Sequence, residues 1–247
     1  MKIFPLSEGA FTIDATKEFV PFDVNKDDLQ QRPTGSLLVE IQPFLVQINS
    51  ENVLIDTGLG YKGKSGKLQI FENLKKIGIE PSGISKVLVS HLHIDHAGGI
   101  FTEDANGKII LNFPEAEYFI HKKELDFAIS KGSPSYAADS FEQFRNNPKI
   151  KILVEDEGII EPGIAYKIVG GHTPYHLAFW FREGNEIAFF GGDVAPQLSQ
   201  MKRNFIAKYD FDGRKSMELR SDWWKNAENE KWKMMFYHDI KNAVYQP

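Results

Sequence analysis

The chain has 247 residues, 42% of them hydrophobic and 26% charged, with a formal net charge of −5. This is the profile of an ordinary globular protein able to bury one substantial core, and the lack of any Lys/Arg block argues against a nucleic-acid partner. Cysteine is absent, which excludes disulfides, thiolate nucleophiles and sulfur ligands and leaves nitrogen and oxygen as the only metal donors. No apolar run is long enough to span a bilayer and residues 1–8 carry no export-signal pattern, so no membrane partner and a cytoplasmic location are expected.

Residues 14–35 are polar and charged and read as a long loop with the character of a lid. Residues 36–48 and 52–55 read as the two strands of a hairpin across Asn49-Ser50-Glu51. Apolar residues at 68, 70, 71, 74 and 77 give a helical stripe over 68–77, closed by Gly78. Residues 86–90, rich in β-branched side chains, read as a short buried strand. A strand at 117–120, helices at 122–130 and 136–145, and strands at 150–154 and 165–169 follow. Gly184-Asn185 then marks a two-residue turn between strands at 177–183 and 186–190. A helix over 215–232 precedes a last strand at 233–237. Strands in hairpin runs separated by helices predict a single α/β domain, 1–247, of two packed sheets covered by helices on both outer faces.

Between the strand at 86–90 and the flexible Gly98-Gly99 lies His91-Leu92-His93-Ile94-Asp95-His96. Three imidazoles and a carboxylate so close together repel when protonated, but neutral and converging they suit a divalent cation such as zinc. A lone histidine is most often a surface or core residue; four candidate donors in six positions reverse that expectation. Further donors follow apolar strands in the same way: His172 after Gly170-Gly171, Asp193 after Gly191-Gly192, and His238 after Tyr237. Seven donors are too many for one tetrahedral ion, and paired ions sharing a carboxylate are a known hydrolytic arrangement.

These segments resemble the metallo-β-lactamase superfamily. The resemblance rests on His91-Leu-His-Ile-Asp-His96, Gly171-His172-Thr173-Pro174, Gly192-Asp193 and His238, with Ile55-Asp56-Thr57-Gly58 upstream. It spans residue 36 to the end and implies the four-layer αββα sandwich. It also implies two divalent ions, zinc by preference with iron, manganese or cobalt accepting the same donors. His91, His93 and His172 would hold one ion and Asp95, His96 and His238 the other, with Asp193 shared. A metal-bridging hydroxide would then attack the substrate, and Asp95 is the expected catalytic residue, orienting that hydroxide and passing a proton to the leaving group. Asp56 is open to two readings, a carboxylate orienting a ligand imidazole or a turn-forming aspartate. His176 is expected to be structural or to stand behind a ligand, and His121 to be a plain surface histidine. Trp180 is expected in the core, and Trp223, Trp224 and Trp232 to pack a helix, with one ring lining a substrate cleft as the alternative.

Within the superfamily the chain looks like the acyl-homoserine lactonases and methyl parathion hydrolases. An ester or lactone is therefore the expected small-molecule substrate, and a phosphotriester or aryl ester the alternative. One departure bears on that choice: many lactonases carry a tyrosine three residues after the shared aspartate, where this chain has Pro196. A non-catalytic metal-binding member is the reading from a different class. Pocket-forming loops are expected at 14–35 and 197–215, their substrate-binding residues unassigned, and either a monomer or a homodimer is compatible with the composition.

Overall fold

The strands Phe44–Ile48, Glu51–Ile55 and Glu186–Phe190 carry unbroken apolar runs at 44–46, 53–55 and 187–190, the pattern of strands covered on both faces. In the computed structural model, which describes residues 1–104 and 106–247, such strands build two six-stranded sheets. The first runs, in spatial order, Lys2–Pro5, Phe44–Ile48, Glu51–Ile55, Lys86–Leu88, Glu117–His121 and Ile150–Leu153, parallel from Glu51–Ile55 onward. The second runs Glu157–Glu161, Ile164–Ile168, Leu177–Glu183, Glu186–Phe190, Lys233–Met235 and Val244–Tyr245. It is antiparallel except where Lys233–Met235 lies parallel to Glu186–Phe190.

Strand side chains alternate between faces, so each sheet feeds two apolar layers. Phe44, Val46, Val53, Ile55 and Leu88 of the first sheet meet Phe179, Phe181, Ala188 and Phe190 of the second in the central layer. Leu45, Leu54, Val87, Tyr118 and Ile120 turn outward onto Ile70, Leu74, Leu125 and Phe141 of the helices Gln69–Lys76, Lys122–Lys131 and Ala138–Phe144. On the opposite side, Ala178, Ile187, Phe189 and Met234 pack against Trp223, Ala227 and Trp232 of and just beyond the helix Gly213–Glu230. The result is the expected αββα sandwich. Truncating a central phenylalanine such as Phe179 would cost about 3–5 kcal/mol.

Several local expectations are revised. The run 36–48 is two strands, Leu37–Ile41 and Phe44–Ile48, because Pro43 has no N–H to continue a ladder. Leu37–Ile41 pairs with Gly9–Ile13, which pairs in turn with Phe19–Phe22, so a strand sits inside the stretch 14–35 read as loop. His121 is buried rather than a surface residue: its Nδ1 accepts from the Lys123 amide at 3.1 Å, capping the helix that follows, and Nε2 lies 3.1 Å from the Glu155 carbonyl. Trp180 is partly buried against Phe189, and Trp224 stacks on Tyr245.

Candidate metal centre

Strands from both sheets end at one edge of the sandwich and deliver the donors there. His91 lies three residues past Lys86–Leu88, His172 four past Ile164–Ile168, Asp193 three past Glu186–Phe190 and His238 three past Lys233–Met235. The histidine-rich loop stays close to the 57–59 turn because Gly98 and Gly99 bring its backbone against the Leu59 and Thr57 carbonyls, where a Cβ would collide. Thr57 donates from its N–H and its Oγ1 to the His96 carbonyl, at 2.7 and 3.0 Å.

Two donor groups result. His91, His93, His172 and Asp193 offer atoms within 4.8 Å of one another, as do Asp95, His96 and His238. In the first group, His93 Nδ1 is 2.9 Å from His91 Nε2 and 3.0 Å from His172 Nε2. In the second, the Asp95 carboxylate lies 3.7 Å from His96 Nε2 and 3.5 Å from His238 Nε2. Asp193 faces both: its Oδ1 is 3.0 Å from His96 Nε2 and from His238 Nε2, and its Oδ2 is 3.2 Å from His172 Nε2.

The outer ring nitrogens are tied down. His91 Nδ1 meets Ser90 Oγ at 3.1 Å, His172 Nδ1 meets Asp210 Oδ1 at 2.9 Å, His96 Nδ1 meets Asp56 Oδ2 at 2.8 Å and His238 Nδ1 meets the Glu40 carbonyl at 2.7 Å. Each such contact takes the Nδ1 proton and leaves an Nε2 lone pair aimed inward. His96 Nε2 and Asp193 Oδ1 are buried and make no hydrogen bond. Buried donor atoms converging at about 3 Å, two of them without a hydrogen-bond partner, fit a cation, and the donor set of imidazoles and carboxylates fits zinc.

The two groups differ electrostatically. Burial, and then the neighbouring imidazoles, press the pKa of His91 and His93 well below the usual histidine value. Burial also opposes charge on His96, but the carboxylates of Asp193, Asp95 and Asp56 outweigh it and raise its pKa well above the ordinary value; Asp193 does the same for His238. Asp193, resisted by its own burial, is held well below the carboxylate range by His238, His96 and His172.

Around the donors stand further groups, some of them, such as Tyr237, Glu124 and Arg220, in no sequence motif. Asp56, wholly buried at φ +55°, accepts from the Ser90 amide and hydroxyl, both at 2.7 Å, besides His96. The two readings of this residue therefore coincide, for it both makes the turn and orients an imidazole. Tyr237 stacks on His96 at 3.9 Å between ring centroids and donates to the Asp95 carbonyl at 2.6 Å. His176 stands behind His91 and accepts from the Asp193 amide at 3.2 Å. Glu124, its pKa pushed up to about 7 by burial, accepts from the Leu92 amide and from Thr173 Oγ1. Arg220, fully buried, donates to the carbonyls of Val194 and Phe205.

His93, Asp95, His172, Asp193 and His238 form the floor of a cleft of about 800 Å³. Its walls are mostly apolar: Ile13, Phe19, Leu37 and Val39 from the small three-stranded sheet, and Phe205, Ile206 and Ala207 opposite. Tyr209 lines the same cleft, its ring 5.9 Å from that of His172, and burial pushes its hydroxyl up to about 12, so it stays an O–H donor at neutral pH.

A four-layer αββα sandwich with paired His/Asp donor groups at one sheet edge is the class defined by this architecture. Residues 40–229 match the metallo-beta-lactamase superfamily, and the chain belongs to it. It is 27% identical over 186 residues to the N-acyl homoserine lactonase AiiB of Agrobacterium fabrum. That alignment covers 66% of this chain and 65% of the relative, so the chain spans slightly less than two thirds of the relative's length. A probable metal-dependent hydrolase from Staphylococcus aureus superimposes with a TM-score of 0.79 at 20% identity, covering 99% of this chain and 91% of that one. AidC, a dizinc quorum-quenching lactonase solved with a product, N-hexnoyl-L-homoserine, superimposes with a TM-score of 0.70 at 21% identity, covering 98% and 88%. At these identities the structural likenesses speak for the shared fold.

Proposed function

We propose that the chain is a metal-dependent hydrolase that cleaves an ester or lactone carbonyl at a pair of divalent cations, zinc by preference. His91, His93 and His172 would hold one cation, Asp95, His96 and His238 the other, and Asp193 both. The single observation carrying this reading is the split of the Asp193 carboxylate, with Oδ1 3.0 Å from His96 and His238 and Oδ2 3.2 Å from His172. Bound there, the cations supply an electrophilic pull on the carbonyl oxygen and a solvent nucleophile whose pKa falls from 15.7 to roughly 7.

The side chains supply the rest. Asp95, on the cleft floor and held by Tyr237 through its backbone carbonyl, passes a proton to the leaving oxygen. Tyr209, protonated at neutral pH, donates toward the substrate carbonyl from the wall. Ile13, Phe19, Leu37, Val39, Phe205 and Ile206 exclude water and receive an apolar acyl group. The likeness to AiiB and AidC, both named as lactonases, supports a lactone with such a tail.

A second reading, cleavage of a phosphotriester or aryl ester, is favoured by Pro196, which brings no hydroxyl to the position after Asp193 where a lactonase tyrosine would stand. Both readings are tested together. Protein stripped by chelator and reloaded with zinc is assayed on an N-acyl homoserine lactone, a p-nitrophenyl ester and a p-nitrophenyl dialkyl phosphate. Two zinc equivalents with lactone turnover that disappears on stripping is the expected result. Turnover confined to the p-nitrophenyl ester or the phosphate would select the second reading, and a fully loaded protein inert to all three would leave a metal-binding role instead.

A further inference from the structure

Glu124 is 2% exposed, and no Lys or Arg pairs with it among the described residues. A carboxyl in that position is costly unless both oxygens are satisfied. It lies in the first turn of Lys122–Lys131, yet it does not cap that helix, since His121 Nδ1 already accepts from the Lys123 amide. Its two oxygens go elsewhere. Oε1 accepts from the Leu92 amide at 3.1 Å, and Oε2 accepts from Thr173 Oγ1 at 2.9 Å.

Leu92 lies between His91 and His93, and Thr173 follows His172. One carboxyl on a third element therefore clamps together the two loops that carry these three imidazoles. Asp95, His96 and His238 make no hydrogen bond to it; they are steadied by Tyr237, Asp56 and the Glu40 carbonyl. Tyr136 adds to the asymmetry by packing its ring 4.8 Å from that of His93.

We propose that Glu124 is a positioning residue that sets cation affinity at the His91/His93/His172 group and leaves the Asp95/His96/His238 group untouched. The inference rests on the two-cation reading above. Its physical basis is that three imidazoles bind a cation tightly only when their loops are already at the right separation, and the clamp fixes that separation before the cation arrives.

The test is zinc binding by competition with a chromophoric chelator, in two backgrounds that each leave one group intact. In His238→Ala protein, which keeps the three-imidazole group, adding Glu124→Ala should weaken the remaining site by roughly 10–100-fold. In His172→Ala protein, which keeps the other group, the same substitution should change affinity by less than about twofold, the scatter of independent positions. Glu124→Gln should restore binding, since its oxygen still accepts from Leu92 and its amide can donate to Thr173. Should Glu124→Ala not fold, Thr173→Val removes one end of the clamp and is read the same way. Equal weakening in both backgrounds, no weakening in the first, or a Gln variant that behaves like Ala would each overturn the assignment. Wild-type protein that takes up no zinc at all would overturn the two-cation reading itself.

Discussion

The two donor groups use the same residue types and lie side by side, but they are held in different ways. His91, His93 and His172 are imidazoles carried on two loops, steadied by the uncharged contacts of Ser90 and Tyr136 and by two carboxyl groups, Asp210 and Glu124, set behind them. Asp95, His96 and His238 lie among carboxylates, with Asp56 behind His96 and Asp193 in front of both histidines. In the first group imidazoles face one another; in the second, imidazoles face carboxylates. The lesson is that a seven-donor centre divides into a half organised by backbone clamps and a half organised by charge.

Removing the one residue common to both halves should erase the distinction. Asp193→Ala is expected to release both cations and lower kcat/KM by at least about 10³-fold, several kcal/mol of transition-state stabilisation, as checked by elemental analysis alongside kinetics. Retention of either cation at wild-type affinity would show that the halves do not share this carboxylate.

Asp56→Asn sharpens the contrast from the charged side. It keeps an oxygen for Ser90 but withdraws the anion behind His96, so affinity at the second group should fall roughly 10–100-fold with the first unchanged, by chelator competition in the His172→Ala and His238→Ala backgrounds. Tyr209→Phe probes the wall that is tied to the first group through His172. A loss of roughly 10- to 10²-fold in kcat with both cations still bound is the expected result, and an unchanged kcat would remove Tyr209 from the chemistry.

The smallest effect concerns Glu8, which accepts from the Leu59 amide at 2.7 Å beside the turn that carries Asp56. Burial pushes its pKa from 4.5 up to about 8. The folded chain then binds a proton that the unfolded chain releases above its own lower pKa. Stability from this group is complete below 4.5 and is lost as pH rises through about 8. Melting temperature should therefore fall between about pH 5 and 9 in wild type and less steeply in Glu8→Gln; parallel curves would show that Glu8 ionises freely in the fold.

The sequence made the donors readable because His91, His172, Asp193 and His238 each follow an apolar strand within three or four residues, His93, Asp95 and His96 crowd in directly after His91, and His172 and Asp193 each follow a glycine pair, signals that are local. The central strands were readable for the same reason. What it hid was action at a distance. Glu124 looks like any acidic residue in a first helical turn, Asp210 like a loop aspartate and Tyr237 like the last residue of a strand; each acquires its role from a loop many residues away. His121 was misread because capping depends on where the next helix begins. The small sheet escaped notice because its strands are short and partly exposed, and because Pro43 divides a run that is apolar on both sides.

The cleft is bounded by two walls of unequal freedom. On one side, Ile13, Phe19 and Leu37 belong to a small sheet that meets the donors through the Glu40 carbonyl on His238 Nδ1, so exchanges in its strands Gly9–Ile13 and Phe19–Phe22, away from that contact, would reshape what enters while sparing the floor of the cleft. On the other, the 205–211 segment is fastened to the His172 carbonyl through the Phe211 amide and to Arg220 through the Phe205 carbonyl. A descendant of this chain could change its diet most cheaply from those two strands; remodelling the second wall would disturb His172.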